Sequence, residues 1–247
     1  MAMKEVDSNL YQQEIRIPED ALKIQSNFKL LLIGASGQGK TQWIVSLLEA
    51  KKNLMVDEYE EVIYCIPKCC GHLTSVKSTI EKLKSILNNV TIYEGLLLDI
   101  EAIFKPQTED SHCLIIYDDM YTDIINSKQF CHLATFGSRH HNCSIIVTSQ
   151  NLFESGRFAL SVRRQFQYYV LFFPTSEKQI LITLGRNLFP GNSYCLYNCF
   201  KKLIPHTSKS FEQYLFIDVN HRSPLPFGMR IRSNVFSEEP YFFQAAS

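Results

Sequence analysis

Short apolar runs alternate with segments of helical periodicity along most of the chain. The runs lie at 28–33, 61–65, 90–93, 113–117, 144–148 and 167–173. Continuous runs of this length are typical of strands that are buried on both faces of a sheet. Helical spacing predicts a helix containing Trp43 and Leu47, and others at 75–87, 97–104, 124–136 and around 180–184. The alternation predicts an α/β fold with a mainly parallel sheet and helices on both faces.

The two ends of the chain lack this regular alternation. Pro18 interrupts any periodicity in the first 26 residues. We predict an N-terminal arm over 1–26, a core over 27–205, and a C-terminal strand and tail over 206–247 packed on that core. A length of 247 residues suits one such core, since single hydrophobic cores rarely exceed about 250–300 residues.

Composition limits the classes of protein to consider. Apolar residues make up 45% of the chain and charged residues 20%, which indicates a folded globular protein. Lysine plus arginine and aspartate plus glutamate both total 25, so any contact with nucleic acid requires a local cluster of charge. The apolar runs are too short to span a bilayer, and the first residues, MAMKEVD, are charged. We therefore expect a chain that is neither secreted nor embedded in a membrane.

The eight cysteines are expected to be free thiols. A chain of this size does not need disulfides to stabilise its core. The cluster at 65–72 invites a zinc interpretation, but it lacks the paired knuckles of structural zinc sites. Cys195 and Cys199 are spaced to share one helix face.

A phosphate-binding loop follows the first predicted strand. Residues 34–41, GASGQGKT, match G-x-x-x-x-G-K-[ST] between a strand and a helix. Backbone N–H groups of such a loop and the following helix N-terminus bind phosphate. Lys40 is then expected to act in catalysis on the β- and γ-phosphates, and Thr41 to bind Mg²⁺. The residues expected to bind nucleotide are Gly34, Ala35, Ser36, Gly37, Gln38, Gly39, Lys40, Thr41 and Gln42.

Two acids end the predicted strand at 113–117. Asp118 is the first of them and is expected to hold the Mg²⁺ shell. Asp119 is then in position to orient or deprotonate an attacking water. A glutamate is commoner in that second role, so Asp119 offers a shorter reach.

The next strand adds two further candidates. Gln150 follows the strand at 144–148 and is expected to contact the γ-phosphate, since its amide both donates and accepts hydrogen bonds. Asn151 is a second candidate for that role. Arg139 precedes the strand and is a candidate arginine finger for a neighbouring subunit. Other arginines left open for that role are Arg157, Arg163, Arg164 and Arg186.

Together these segments resemble a known superfamily. The P-loop, the Asp118–Asp119 pair and above all the segment 142–153, NCSIIVTSQNLF, are similar to the FtsK–HerA superfamily. Within it, the chain resembles the DNA-packaging ATPases of double-jelly-roll DNA viruses and of Polinton/Maverick elements. Segments 168–174, 188–193, 214–218 and 229–236 resemble later motifs of that group. The resemblance covers about residues 26–236 and departs from the group at Ser149 and, relative to the wider class, at Asp119.

The resemblance implies a fold, a function and partners. The fold is a P-loop NTPase of the ASCE type, which has an extra strand between the P-loop strand and the metal-site strand. The implied function is ATP-driven and Mg²⁺-dependent translocation of double-stranded DNA into a preformed capsid. The implied partners are DNA, a capsid or portal vertex, and identical subunits in a pentameric or hexameric ring. Such a protein is associated with the virion or its assembly site, in the host cytoplasm or nucleus. The usual finger position of the group corresponds to Arg139.

Two features stay open at this point. DNA contact is expected either from the basic residues between Lys201 and Arg232 or from a loop at 68–77. The first group comprises Lys201, Lys202, Lys209, Arg222, Arg230 and Arg232, opposed by Glu212 and Asp218. The alternative functions are a P-loop nucleotide or small-molecule kinase and a nucleotide-gated assembly switch. A GTPase is disfavoured because no Asn-Lys-x-Asp segment is present.

Overall fold

One sheet organises the part of the chain that the computed structural model describes, namely residues 18–105, 108, 110–172, 178–204, 212–226, 229–238 and 240–243. In these ranges the sheet has nine strands in the order β3-β2-β4-β5-β1-β6-β7-β8-β9. Their bounds are β1 Lys29–Ile33, β2 Glu61–Ile66, β3 Val90–Glu94, β4 Cys113–Tyr117, β5 Cys143–Ser149, β6 Tyr168–Phe172, β7 Tyr214–Asp218, β8 Ile231–Ser233 and β9 Tyr241–Phe243. The predicted arm lies outside the described residues as far as residue 17, and so do positions 173 and 174.

Strand direction divides the sheet into two parts. The strands from β3 to β6 pair in parallel, whereas β7, β8 and β9 are antiparallel additions beyond β6. β5 lies between β1 and β4, so the predicted extra strand separates the P-loop strand from the strand that precedes the two acids. All five residues of β1 and of β4 are buried, as expected for strands covered on both faces.

Helices cover both faces of the sheet, and the predicted α/β class is confirmed. The helices are α1 Lys40–Glu49, α2 Lys51–Leu54, α3 Thr74–Ile86, α4 Tyr121–Asn126, α5 Lys128–His132, α6 Ser138–His140, α7 Ala159–Arg163, α8 Lys178–Leu188 and α9 Cys195–Leu203. Side chains of α1 and α3 pack in a core on one face, and those of α4, α5, α7, α8 and α9 pack on the other. No helix in the described ranges is both long and apolar enough to cross a membrane.

The predicted helix at 97–104 is wrong. The chain there forms turns, in which the N–H of Phe104 donates to the carbonyl of Ile100. Leu97, Ile100 and Phe104 are nevertheless buried in the core. Gly95, with a φ of 105°, turns the chain directly after β3, and the segment then packs on one face of the sheet as an irregular loop, where the Tyr117 hydroxyl of β4 donates to the Leu97 carbonyl. The apolar spacing therefore indicates that these three side chains are buried, but it does not indicate a helix.

The predicted helix at 124–136 is divided into shorter pieces. α4 begins earlier than expected, at Tyr121, and ends at Asn126. The Ser127 hydroxyl accepts a hydrogen bond from the N–H of Phe130 and caps α5, and a serine cap of this kind starts a new helix. A π-helical turn over Leu133–Gly137 then leads into α6.

The antiparallel strands pack against the helix that follows the P-loop. Trp43 of α1 stacks on Phe216 of β7, with ring centroids 6.3 Å apart and planes inclined by 21°. Phe236 lies against the same indole at 5.4 Å. The aromatic contacts join α1 to the C-terminal strands, so the position of the P-loop helix depends on residues far away in the sequence.

Gly185 provides a test of how α8 packs on the segment before α9. A Cβ at this position would lie 2.4 Å from the backbone oxygen of Ser193. Alanine favours a helix by about 1 kcal/mol over glycine, but the backbone contact has no room to relax. We expect Gly185→Ala to lower the free energy of unfolding by about 1–3 kcal/mol, measured by urea denaturation.

Gly137→Ala is the matched control for that change. Gly137 also has helical dihedrals, with a φ of −58°, and its new Cβ would meet a terminal methyl of the Leu133 side chain at 2.9 Å. That methyl can move, so we expect a change of less than about 1 kcal/mol. Equal destabilisation by the two variants would contradict the packing argument.

Candidate nucleotide-binding site

The glycine-rich segment lies at the carboxyl edge of the sheet between β1 and α1. Gly34 N–H donates to the carbonyl of Ser149 at 3.1 Å, which ties the start of the loop to the end of β5. Gly37 and Gly39 have φ values of 80° and 99°, a region that glycine adopts without strain. α1 begins at Lys40, and the first N–H groups of a helix have no partner within that helix. The loop and helix therefore form an anion-binding end of the kind that phosphates occupy.

Two side chains contact the loop from within. The Lys40 ammonium donates to the carbonyls of Gly34 at 2.7 Å and Ala35 at 3.1 Å. Ala35 N–H donates to Gln38 Oε1 at 2.7 Å. Burial lowers the pKa of Lys40, and the nearby charges of Asp119 and then Asp118 oppose that shift. The ammonium is thus held at the mouth of the loop, close to both acids.

Gly34 is required by close packing. A Cβ there would lie 2.6 Å from Gln38 Oε1 and 2.8 Å from the Cβ of Phe172 on β6. Ala35, Ser36 and Gly37 are exposed at the tip of the loop. Gln42 is exposed on the first turn of α1.

Hydroxyl groups hold the Asp118 carboxylate on both of its oxygens. Thr148 Oγ1 donates to Asp118 Oδ1 at 2.7 Å, and the Tyr64 hydroxyl donates to Oδ2. Thr41 Oγ1 lies 3.4 Å from the same Oδ2. Burial, followed by the charge of Asp118, raises the pKa of Tyr64, so the phenol stays protonated and can donate.

The Asp118 and Thr41 oxygens fit a divalent cation. Mg²⁺ takes hard oxygen ligands and usually one or two carboxylates together with phosphate oxygens. The carboxylate and the hydroxyl already face one another at the end of the P-loop. Asp118 N–H donates to the Cys65 carbonyl at 3.0 Å, which fixes the backbone from which the carboxylate extends.

Asp119 and Gln150 are brought together beside Asp118. Asp119 has a φ of 55°, a left-handed conformation that aspartate tolerates better than most residues. Its N–H donates to Thr148 Oγ1 at 2.8 Å, and its Oδ1 accepts from Gln150 Nε2 at 3.2 Å. Thr148 therefore contacts both acids through one hydroxyl. Asn151 turns away, since its backbone and side chain bond to Ser149 and Phe153.

Arg139 lies at the amino ends of the parallel strands, whereas the P-loop of its own chain lies at their carboxyl ends. It belongs to α6, directly before β5, and its side chain is exposed. β5 has seven residues, so its two ends are about 20 Å apart. Burial, and then the charge of Arg139, lower the pKa of Lys29 at the start of β1 to about 8. The structure does not bring Arg139 together with the other predicted site residues of the same chain.

Two residues that contact the acids are not predicted by the sequence motifs. Tyr64 and Thr148 hold Asp118, and Thr148 also contacts Asp119, yet both residues belong to apolar runs. A buried tyrosine normally has a hydrogen-bond partner for its hydroxyl, so a tyrosine in this buried run indicates a polar group nearby. Its partner depends on the parallel pairing of β2 with β4, in which Tyr64 lies opposite Ile116. Sequence spacing alone does not reveal that register.

The expected basic patch between Lys201 and Arg232 is not one exposed surface. Arg232 is 4% exposed, lies 4.7 Å over the Phe216 ring, and donates to the Leu22 carbonyl at 2.8 Å. Arg230 donates to the carbonyls of Leu225 and Asn220. These arginines hold the C-terminal strands and loops because their donors satisfy backbone oxygens. Lys209 lies outside the described residues.

Comparison with known proteins assigns the family. A family model described as Poxvirus A32 protein matches residues 16–172, which contain the P-loop, the two acids and Gln150. The chain belongs to this family. The resemblance to viral DNA-packaging proteins that the motifs indicate is thereby confirmed.

Curated relatives and solved structures are also similar. The DNA packaging protein OPG160 of Variola virus is 24% identical over 151 residues, and that of Vaccinia virus (strain Copenhagen) is 25% identical. The matched region is 58% of this chain and 52% of those proteins, so the chain spans about half their length. The packaging NTPase B204 of Sulfolobus turreted icosahedral virus 2, in complex with ATP-gammaS, matches with 14% identity and a TM-score of 0.43 over 78% of this chain and 92% of that one. The DNA-packaging ATPase B204 of Sulfolobus turreted icosahedral virus matches with 12% identity and a TM-score of 0.47. The match covers 79% of this chain and 94% of that one.

Tyr64→Phe tests the contact with Asp118. The phenylalanine keeps the buried ring and removes only the hydroxyl that orients the carboxylate. Loss of such a supporting hydrogen bond typically weakens metal binding about 10–100-fold. We expect the Mg²⁺ concentration that half-saturates binding of a fluorescent ATP analogue to rise about tenfold, with binding in EDTA unchanged.

Tyr59→Phe is the matched control. The Tyr59 hydroxyl bonds to Ser144 Oγ at 3.0 Å, near the amino end of the sheet. This variant is expected to keep the Mg²⁺ dependence of the parent. A Tyr64→Phe protein that binds the analogue equally weakly with and without Mg²⁺ would mean that Tyr64 acts only on the loop or the fold.

Proposed function

We propose that this chain is the ATPase of a viral DNA-packaging motor. In this proposal it binds ATP with Mg²⁺ and hydrolyses it to translocate double-stranded DNA into a preformed capsid. The observation that carries the proposal is the hydrogen-bonded group formed by Asp118, Thr148, Asp119 and Gln150 beside the P-loop. Membership of the Poxvirus A32 family supports it, and so does the DNA-packaging function named for the curated relatives.

The residues would divide the chemistry as follows. The backbone of residues 34–39 and the Lys40 ammonium bind and position the phosphates, which is the larger part of catalysis in phosphoryl transfer. Thr41 and Asp118 hold Mg²⁺, which neutralises phosphate charge when bound. Asp119 orients and accepts a proton from the attacking water. Gln150 donates to Asp119 Oδ1, so a contact between Gln150 and the γ-phosphate would also fix the position of that acid.

The location of Arg139 supports a ring of identical subunits. An arginine about 20 Å from its own loop, by the length of β5, can act only on the nucleotide of another copy. Phe136, one turn earlier, exposes 57% of its surface and offers an apolar contact to that neighbour. We therefore include in the proposal a pentameric or hexameric ring that engages a capsid or portal vertex. Its site of action would be the virion or its assembly site, in the host cytoplasm or nucleus.

Steady-state ATP hydrolysis with and without linear double-stranded DNA, at two salt concentrations, tests the proposed function. We expect DNA to stimulate turnover and high salt to remove the stimulation, because phosphate contacts are screened. Asp119→Asn is expected to reduce kcat by at least about 100-fold while ATP still binds. Asparagine tolerates the left-handed conformation of Asp119, so this variant changes the chemistry and leaves the turn intact.

Asp123→Asn is the control, since Asp123 is an exposed acid on α4 with the same charge. It is expected to keep full turnover. Hydrolysis that is indifferent to DNA would favour the kinase alternative. An Asp119→Asn protein with full biological function would favour the assembly switch.

Mixing two inactive variants tests the role of Arg139. Arg139→Ala and Lys40→Ala are each expected to lose turnover by at least about 100-fold, the first with ATP binding intact. In mixed rings some interfaces combine an intact Lys40 with an intact Arg139 from the next subunit. We expect ATPase assays of the mixture to recover part of the activity.

Arg164→Ala, at another exposed arginine, is the control and should be active on its own. Absence of recovery in the mixture, together with loss of ATP binding by Arg139→Ala, would assign Arg139 a structural role.

A further inference from the structure

A row of aromatic rings leads from the P-loop to the surface. A Cβ on Gly34 would lie 2.8 Å from the Cβ of Phe172, so the first ring of the row packs directly beside the loop. The ring centroids of Phe172 and Tyr214 are 5.9 Å apart, and those of Tyr214 and Phe236 are 6.4 Å apart. Trp43 of α1 lies beside the row, 6.1 Å from Tyr214 and 5.4 Å from Phe236. The row therefore connects the start of the phosphate-binding loop with the segment after β8.

Phe236 differs from the other members of the row in its exposure to solvent. Phe172, Trp43 and Tyr214 are 2–4% exposed, whereas Phe236 is 37% exposed. A single exposed apolar side chain is ordinary on a protein surface. Phe236 is of interest because of its position, since it forms the accessible end of a packed row that begins at the P-loop.

The segment that carries Phe236 is held in place at the same end of the sheet as the P-loop. β7 is antiparallel to β6, and β8 is antiparallel to β7, so β8 ends where the parallel strands end. Asn234, with a φ of 54°, then turns the chain. Val235 N–H donates to the Tyr214 hydroxyl at 3.0 Å, and Ser237 N–H donates to the Asn234 carbonyl at 3.0 Å. These hydrogen bonds fix the turn on either side of Phe236, so its ring is positioned before any ligand binds.

The positions of the acids define the direction in which a nucleotide extends. Asp118 and Asp119 follow β4, and Gln150 follows β5. These two strands lie on one side of β1, and β6, β7 and β8 lie on the other. In the proposed function the γ-phosphate faces the acids. The sugar and base are attached to the opposite end of the triphosphate and therefore extend toward the carboxyl end of β6 and the segment after β8, where Phe236 presents its ring.

We propose that the exposed face of Phe236 stacks on the base of the bound nucleotide. This inference rests on the proposed function and assigns the nucleoside end of its ligand. An aromatic ring provides a flat apolar surface that suits the face of a base. Stacking contributes affinity without reading the hydrogen-bonding edge, and it depends on the area of the stacked rings. The ligand class is thus the purine nucleoside triphosphates, with ATP and GTP bound about equally by this contact.

The test compares ligands that share the phosphates and differ in the base. The inhibition constants of ATP, GTP, UTP and inorganic tripolyphosphate are measured with Mg²⁺ and without DNA, by displacement of a fluorescent ATP analogue. For Phe236→Ala we expect the constant of ATP to rise about tenfold, with that of tripolyphosphate unchanged. The parent should bind ATP and GTP similarly and UTP more weakly, because a purine presents two rings to the stack.

Two further variants separate stacking from packing on α1. Phe236→Leu keeps an apolar side chain against Trp43 and removes the flat ring, so it should weaken ATP as Phe236→Ala does and reduce the preference for ATP over UTP. Phe236→Trp keeps a ring and should retain both the affinity and the preference. Circular dichroism checks that each protein is folded.

Leu160→Ala is the control. It removes another exposed apolar side chain, 57% exposed, from α7, which precedes the amino end of β6. This variant is expected to keep the inhibition constants of the parent for all four ligands.

The contrary results overturn the inference. Equal weakening of ATP and tripolyphosphate in Phe236→Leu would mean that Phe236 acts only through the packing of α1. Unchanged ATP binding in both Phe236→Ala and Phe236→Leu would mean that the base lies elsewhere. Because the assay measures binding alone, the two proposals can fail separately. A base-dependent effect of Phe236 in a protein without DNA-stimulated hydrolysis would refute the proposed function and not the inference.

Discussion

The arrangement of the site depends on one carboxylate that is held from both sides. Asp118 follows β4, and its oxygens accept hydrogen bonds from Tyr64 on β2 and Thr148 on β5, the two strands that flank β4. Parallel strands make this possible because their carboxyl ends meet at one edge of the sheet. The Thr148 hydroxyl also accepts from the backbone of Asp119, so the second acid is placed by the contact that orients the first. A shift in the register of β4 against either neighbour would separate these groups.

The parts of this arrangement that are local in sequence were predictable, and those that cross the sheet were not. The P-loop is recognisable because its glycines, Lys40 and Thr41 are contiguous, and the buried run before Asp118 identifies the second strand. The partners of Asp118 required knowledge of which strands are neighbours, a property of the folded chain. Periodicity failed at 97–104 for a related reason, since a loop that packs on the face of a sheet can bury side chains at the same spacing as a helix. Arg232 shows the same limit for charge, because its burial under Leu22 and over Phe216 depends on distant strands.

The two edges of the sheet have different chemistry. The carboxyl ends of the parallel strands carry the P-loop and the acids, whereas Lys29 and Arg139 lie at the amino ends. A chain with opposite functional edges is suited to a heterologous, head-to-tail contact, in which unlike surfaces meet. Such a contact closes into a ring only if the rotation between subunits divides a full turn. In the ring that we propose, the geometry of this amino end, including the π-helical turn before α6, would affect subunit number as well as catalysis.

Trp43 is the only tryptophan in the chain, and its position gives it a use beyond packing. It is 3% exposed, follows Lys40 by three residues in α1, and lies against Phe216 and Phe236. The indole therefore connects the helix that begins at the P-loop with the C-terminal strands. Its intrinsic fluorescence comes from one known place, so emission intensity and quenching report movement of α1 relative to those strands. The protein thus carries a built-in optical probe that needs no label and is located one helical turn from the phosphate-binding loop.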